Sequence, residues 1–270
     1  MNIPFDKITH ILIIGGIILT HKPTERVLNI LELLAAHPKG MTLTQLSADL
    51  QIPKSTISPI LQELTDRNFL YLQPHSSLYS IGISTYCVGS TYEQERALLP
   101  FIKTCMKKIS TEIHEICQVG VLDGPDVLYI LKQDPEIPLT IKIISYVGKR
   151  IPAYCTALGK ALLCDSSLEE LQALYPEPLI PQTPNTITDL NLLYEQLQEI
   201  RKSSIATEYE EVTPQLCCFA VPIRLNSNRR YAMSVSMPLF RTSKEKIQRT
   251  KELLLVAKGT IEKFDTTPHN

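Results

Sequence analysis

The most specific chemistry in the chain is carried by a short polar series, Lys54, Ser55, Thr56, Ser58 and Gln62. These residues share one side of a helical pattern whose other side is Ile57, Ile60, Leu61 and Leu64. Short hydroxyl and amide groups suit a surface that must approach base edges in a DNA major groove, where donors and acceptors read sequence. The same residues also fit a small helical domain whose hydroxyls are merely solvated. A second candidate is the pair Ser234 and Ser236. Two apart on a strand, they face the same side and can donate to a ligand carboxylate or hydroxyl, although such pairs also occur on solvated faces. Catalysis is harder to assemble. Cys218 as a nucleophile would need a base, and the histidines beyond residue 82 are His114 and His269, neither in a catalytic-looking stretch. Glu208, Glu210 and Glu211 cluster, but alternation divides them between faces and no partner is spaced to complete a metal site. Neither an enzyme nor a cofactor is expected.

Stepping outward from the polar series, residues 41–82 supply the elements that would position it. Leu43, Leu46 and Leu50 mark a short helix, Gln51-Ile52-Pro53 breaks it, and the polar helix follows. After Asn68 the period falls toward two, with Phe69 and Tyr71, then Leu78, Tyr79 and Ile81, on either side of the turn-forming residues 73–77. Helix, tight turn, helix and hairpin is the order of a winged helix-turn-helix, whose second helix enters the major groove. Thr44 on the first helix and His75 at the hairpin tip complete the candidate DNA contacts. Ahead of them, Thr24 to Ala36 reads as an amphipathic helix with Thr24 as N-cap and Val27, Leu28, Leu31, Leu34 and Ala35 facing inward.

Composition sets limits. With 270 residues, 44% hydrophobic and 20% charged, the chain can hold two domains with sizeable cores. The net charge is −1. In residues 1–82, Lys7, Lys22, Arg26, Lys39, Lys54 and Arg67 are matched by Asp6, Glu25, Glu32, Asp49, Glu63 and Asp66, so a modest nonspecific phosphate term is expected. The seven cysteines include no C-x-x-C pair and read as reduced thiols in a cytoplasmic protein. The apolar run Ile11 to Leu19 is shorter than the ~20 residues that span a bilayer. No small-x-small cleavage site follows it. It reads as a disordered or loosely packed leader, and no membrane partner is expected.

From Ser84 to about Glu115 the chain is mostly helical, with Pro100 suggesting two helices or one that restarts. Such a connector joins domains or pairs with its twin in a dimer, and both are expected here. Cys117 to Gln133 is a hairpin around Asp123-Gly124-Pro125. Leu139 to Tyr146 is a further strand, and Arg150-Ile151-Pro152 enters a loop. Helices are expected from Thr156, from Ser167 (with Glu170 completing a capping box) and from Asp189 to Lys202. Strands follow near residues 206–210, 218–225 and 231–237, then a closing helix from Ser243 to Phe264. The mixture indicates an α+β fold with an antiparallel sheet.

Four linked pieces, IPKSTIS, YSIG, RIPAYCTALGKALL and CFAVPI followed by MSVSMP, resemble the IclR family of bacterial transcription regulators in order and spacing, over nearly the whole chain from Thr24 onward. The resemblance implies a leader at 1–22, a winged helix-turn-helix at 23–83, a linker helix at 84–104, a GAF-like α/β effector domain at 105–265 and a tail at 266–270. It also implies homodimers, in many members tetramers, that bind operator DNA and small organic acids such as ketoacids, sugar acids and aromatic carboxylates. Ligand contacts in the family fall at positions matching Ala157, Leu158, Glu208, Cys218, Ser234 and Ser236. The first amides of the helix at Thr156, including that of Gly159, carry partial positive charge that suits a carboxylate. Lys160, farther into that helix, is expected to point outward, and Tyr129 and Tyr154 either line the site or belong to the core.

Three departures stand out. Pro59 occupies the place of an arginine in the family's K-S-T-x-x-R segment, Gln215 replaces the glycine of an E-x-x-x-G motif after Glu211, and residues 68–81 contain no Lys or Arg. Proline inside a helix costs ~3 kcal/mol, so the polar helix is expected to start late, with Ser55 as N-cap, or to bend. The expected function is an effector-responsive DNA-binding regulator. The alternatives are an effector-independent repressor whose second domain only oligomerises, and a cysteine-dependent enzyme.

Overall fold

In the computed structural model of the chain, the structure describes residues 21–94, 98–136, 145–225 and 230–266. The chain divides into two compact units, residues 1–96 and 97–270.

Among the described residues, the first unit contains three helices and a small sheet, followed by a further helix. Helix α1 (Lys22–Ala35) begins ahead of Thr24, because Pro23 in the first turn favours helix entry and His21 occupies the N-cap position. Its core face is Ile30, Leu33 and Leu34, while Leu28 and Ala35 are exposed, contrary to the sequence pattern. Strand β1 (Met41–Thr42) leads into α2 (Leu43–Asp49), capped by a Thr42–Gln45 capping box. Helix α3 (Lys54–Asp66) starts directly after Pro53, so no late start occurs and Ser55 is not its cap. Pro59 lies inside it. The proline has no N–H to give the carbonyl of Ser55, but Ser55 is exposed to water, which can take that place. Ile57 and Leu61 are fully buried against Ile30, Leu34 and Leu46. Strands β2 (Leu70–Leu72) and β3 (Leu78–Ile81) form the wing, and β1 joins it in the order β1-β3-β2. Helix α4 (Ile83–Gln94) follows, with Ile83, Tyr86 and Val88 largely exposed.

The second unit opens with α5 (Leu98–Ile113), which carries Pro100 in its first turn. The described parts of the expected linker stretch are helical, α4 to Gln94 and α5 from Leu98. An antiparallel sheet follows, built from β4 (Ile116–Asp123), β5 (Asp126–Gln133), β6 (Arg150–Pro152), β7 (Ala206–Tyr209), β8 (Leu216–Arg224) and β9 (Arg230–Pro238) in the order β6-β5-β4-β9-β8-β7. The segment expected to enter a loop at Arg150 is thus an edge strand paired with β5. The strand expected at 139–146 lies outside the described residues except for Ser145 and Tyr146, which have no regular structure. So do the leader up to Thr20 and the tail from residue 267.

Alternation assigns each sheet face its partner. Cys217, Phe219, Val221 and Ile223 of β8, with Tyr231, Met233, Val235 and Met237 of β9, pack on α5 and the closing helix α9 (Lys244–Thr266). The opposite face, including Ala206, Ala220 and Ala232, packs under α6 (Ala157–Leu163), α7 (Leu168–Leu174) and α8 (Leu190–Ser203). Small residues there let α6 lie close to the sheet.

Candidate functional site

The face of α3 turned away from its core carries Lys54, Ser55, Ser58, Pro59 and Gln62, all exposed, with Thr56 half-buried at its margin. Thr44 is exposed in the first turn of α2, and His75 is exposed between β2 and β3. Gln62 is not idle: its Nε2 donates to Asp66 Oδ1 at 2.8 Å, one helical turn on. Glu63 is likewise engaged, by Arg67 at 2.6 Å.

The second site is a cavity between α6 and the sheet. Strand register builds its floor. Glu208 pairs with Cys218, and Cys218 pairs with Ser236, so these three side chains form one row across β7, β8 and β9. In the neighbouring row Ser234 stands opposite Gln118 of β4. The wall is completed by Tyr129, Ser145, Ile151, Thr156, Ala157, Leu158, Val212, Thr213 and Leu216. Tyr129 reaches this face through a register shift: Val119 pairs with Leu131 but Gly120 pairs with Tyr129, leaving Ile130 as a bulge. Without the bulge Tyr129 would share a face with Leu131, which packs on the α5 side.

Gly159, expected beside the others, does not line the cavity. Its amide donates to the Thr156 hydroxyl, which caps α6, at 2.9 Å. A Cβ there would lie 2.0 Å from the Ala153 carbonyl oxygen, so the glycine serves close packing of α6 on the preceding turn. Tyr154 is also elsewhere, donating to the Ile180 carbonyl at 2.6 Å. Lys160, expected to point outward, is fully buried, and its Nζ donates to Glu211 Oε1. Burying an ammonium requires a counter-charge, and Glu211 supplies it. The second oxygen of Glu211 has no hydrogen-bond partner among the described residues.

The polar groups of the cavity hold one another. Gln118 donates to Ser145 Oγ and accepts from Ser236 Oγ at 3.3 Å. Cys218 Sγ lies 3.2 Å from Ser236 Oγ, and the Glu208 carboxyl accepts from the Glu211 amide at 3.0 Å. Burial pushes the Glu208 carboxyl up to about 7, against the lowering effect of its hydrogen bonds to Cys218 and the Glu211 amide. Burial first, and the facing Glu208 second, hold the Cys218 thiol far above its usual range. A thiol so suppressed is a poor nucleophile. No lysine or arginine is among the described lining residues. The cavity is open on one side and its volume is about 30 Å³, room for about two waters. Among the described residues no group of His, Cys, Asp or Glu is arranged to hold a metal, and no helix is long and apolar enough to cross a membrane.

The lining residues missing from the sequence-based set are Gln118, Ser145, Ile151, Val212, Thr213 and Leu216. Gln118 had a signal, as a polar residue midway along an apolar strand. The others depend on long-range placement.

Two family models match the chain. The helix-turn-helix domain of IclR covers residues 23–74, and the C-terminal domain of the bacterial transcriptional regulator IclR covers residues 91–262. The chain is 29% identical over 238 residues to the HTH-type transcriptional regulator KdgR of Escherichia coli, spanning 87% of this chain and 89% of that one. Its fold resembles an IclR transcriptional regulator from Alicyclobacillus acidocaldarius, with a TM-score of 0.80 at 22% identity, covering 91% of this chain and 99% of that one. It also resembles an IclR homologue from Microbacterium hydrocarbonoxydans complexed with 4-hydroxybenzoate, with a TM-score of 0.76 at 21% identity over 89% and 97% of the two chains.

Proposed function

The chain belongs to the IclR family of bacterial transcriptional regulators, and from that premise we propose that it is an effector-responsive member: the cavity under α6 senses a small organic acid and alters operator binding. The observation that carries this reading is the polar row Glu208, Cys218 and Ser236, flanked by Gln118 and Ser234, on a sheet face whose other buried residues include Ala206, Ala220 and Ala232. These groups bond one another and line a cavity, so a ligand carboxylate or hydroxyl can exchange for bonds already made there. The relative from Microbacterium hydrocarbonoxydans was crystallised with an aromatic acid, which supports the ligand class. The donors that face the acid are the hydroxyls of Thr156, Ser145 and Ser234, the Gln118 amide, and the amides of Ala157 and Leu158 at the head of α6. Glu208, near 7, joins them in its protonated form.

In this reading binding shifts the cavity walls, and that movement is how ligand and DNA communicate. A ligand changes DNA affinity only through its differential affinity for two arrangements, a coupling of ~1–3 kcal/mol. On the DNA side, Lys54, Ser55, Thr56, Ser58 and Gln62 enter the major groove, supported by Thr44 and His75. Two copies pair, with the exposed apolar residues of α4 as one contact, so that paired α3 helices meet successive half-sites; pairs of dimers extend this to a tetramer.

The test is a thermal-shift screen of organic acids, with 4-hydroxybenzoate and pyruvate included, followed by operator binding with and without any that stabilise. Ser234→Phe fills the cavity and should abolish ligand dependence while leaving DNA binding. Ligand-dependent binding that survives Ser234→Phe would refute the cavity as sensor.

A further inference from the structure

At 100° per residue, the exposed side of α3 places Ser55, Ser58, Pro59, Gln62 and Asp66 in one stripe, opposite the buried Ile57, Leu61 and Leu64. The stripe contains no arginine. Lys54 sits at its edge, and Arg67, past the helix end, is tied to Glu63. What the stripe offers a groove is therefore one amide, two hydroxyls and one apolar ring, with the Asp66 carboxylate at its C-terminal end bonded to the amide.

The amide has a fixed orientation. A carboxylate only accepts, so the group that Gln62 turns to Asp66 must be its NH2. One N–H is thus consumed, leaving one N–H donor and the Oε1 acceptor. In the major groove adenine presents one acceptor, N7, and one donor, the N6 amino group, whereas guanine presents two acceptors, N7 and O6. The remaining pair of Gln62 matches adenine and opposes guanine. Pro59, three residues earlier and on the same stripe, presents ring methylenes, which suit the thymine C5-methyl group.

We propose that α3 reads adjacent A·T pairs, with Gln62 bidentate to an adenine, Pro59 packed on a thymine methyl, and Asp66 as the positioning residue that fixes the Gln62 amide. This rests on α3 being the helix that enters the groove. It goes further by assigning the base identity.

Selection from random duplex DNA by the intact protein should enrich a half-site with adjacent A·T pairs. On the selected duplex, guanine in place of the contacted adenine should weaken wild-type binding by roughly 5- to 150-fold, and Gln62→Ala should be indifferent to the exchange. Uracil in place of the contacted thymine removes only the methyl. It should cost the wild type about 4-fold and Pro59→Ala nothing. Asp66→Ala should retain affinity within a few-fold but narrow the adenine-to-guanine ratio, and Asp66→Glu should restore it; a purely structural role for Asp66 would leave that ratio unmoved. All three positions are exposed, and circular dichroism checks that the variants fold. A selected guanine at the Gln62 position, or equal responses of wild type and variants to the base changes, would overturn the assignment while leaving α3 as the reading helix. No enrichment of any duplex would overturn both.

Discussion

Replacing Lys160 with methionine should strip the second unit of a large part of its stability, for a reason visible in the geometry. Lys160 is 0% exposed and Glu211 is 5% exposed. Methionine keeps most of the lysine stem, so the packing loss is small. What is lost is the counter-charge of Glu211, whose second oxygen already has no partner among the described residues. Removing one member of a buried pair costs about 3–5 kcal/mol, because the survivor is left as an uncompensated charge. An exposed pair such as Lys202–Glu199 contributes no more than ~1 kcal/mol. For a domain of this size, with ~2–4 °C per kcal/mol, the melting temperature should fall by roughly 6–20 °C. The diagnostic variant is the double replacement, Lys160→Met with Glu211→Leu, which removes both charges and should recover most or all of the loss. Scanning calorimetry of the full chain measures both. A double variant no more stable than the single one would show that charge burial is not the cause. The cavity supplies a second readout. Glu211 sits beside Val212 and Thr213, which line it, and Thr183 and Thr186 pin the same segment through the carbonyls of Glu210 and Glu211. Lys160→Met should therefore also weaken binding of the proposed acid.

Three further outcomes are expected. The folded Glu208 carboxyl titrates near 7 against an ordinary 4.5, so its favourable contribution is complete below 4.5 and is lost as pH rises through 7. Glu208→Gln should gain on the order of 3 kcal/mol relative to wild type between pH 4.5 and about 8, and parallel stability profiles would contradict this. Gly159→Ala, which helix propensity alone would favour by ~1 kcal/mol, should instead destabilise by about 3 kcal/mol, because its Cβ meets the Ala153 carbonyl at 2.0 Å; an unchanged or raised melting temperature would refute the clash. Finally, with no Lys or Arg in residues 68–81 and Arg67 held by Glu63, the salt dependence of operator binding should be shallow. A log–log slope weaker than about −4 is expected for a pair of copies, whereas about −8 would require phosphate contacts this surface does not supply.

Much of the fold could be read from local pattern because local causes set it. The Ser167–Glu170 capping box, the turn at Gly124 and the alternation of Ser234 and Ser236 each depend on residues a few positions apart, and each forms as expected. The errors come from distant partners or competing local terms. Lys160 looked solvent-directed because its counter-ion lies 51 residues away. Tyr129 could not be assigned to a face, since the bulge at Ile130 depends on how β5 pairs with β4. Pro59 suggested a late start or a bend; the helix nevertheless begins at Lys54, because burying Ile57 and Leu61 outweighs one lost bond. Gln118 and Ser145 meet through tertiary placement that periodicity cannot reveal.

The packing of the first and last helices of the second unit has a consequence for synthesis. Leu99, Ile102 and Met106 of α5 share a core with Leu254, Ala257 and Ile261 of α9, and Phe101 stacks on Phe264 with ring centroids 4.1 Å apart. Translation delivers these two sides of one interface at opposite ends of the unit. Until α9 clears the ribosome, only α5 covers the apolar face of β8 and β9, and the part left bare is the kind of surface on which nascent chains stick to one another. The winged unit, complete by then, can fold early. A ribosome stalled before residue 244 would thus carry a finished DNA-reading module tethered to an adhesive half-domain.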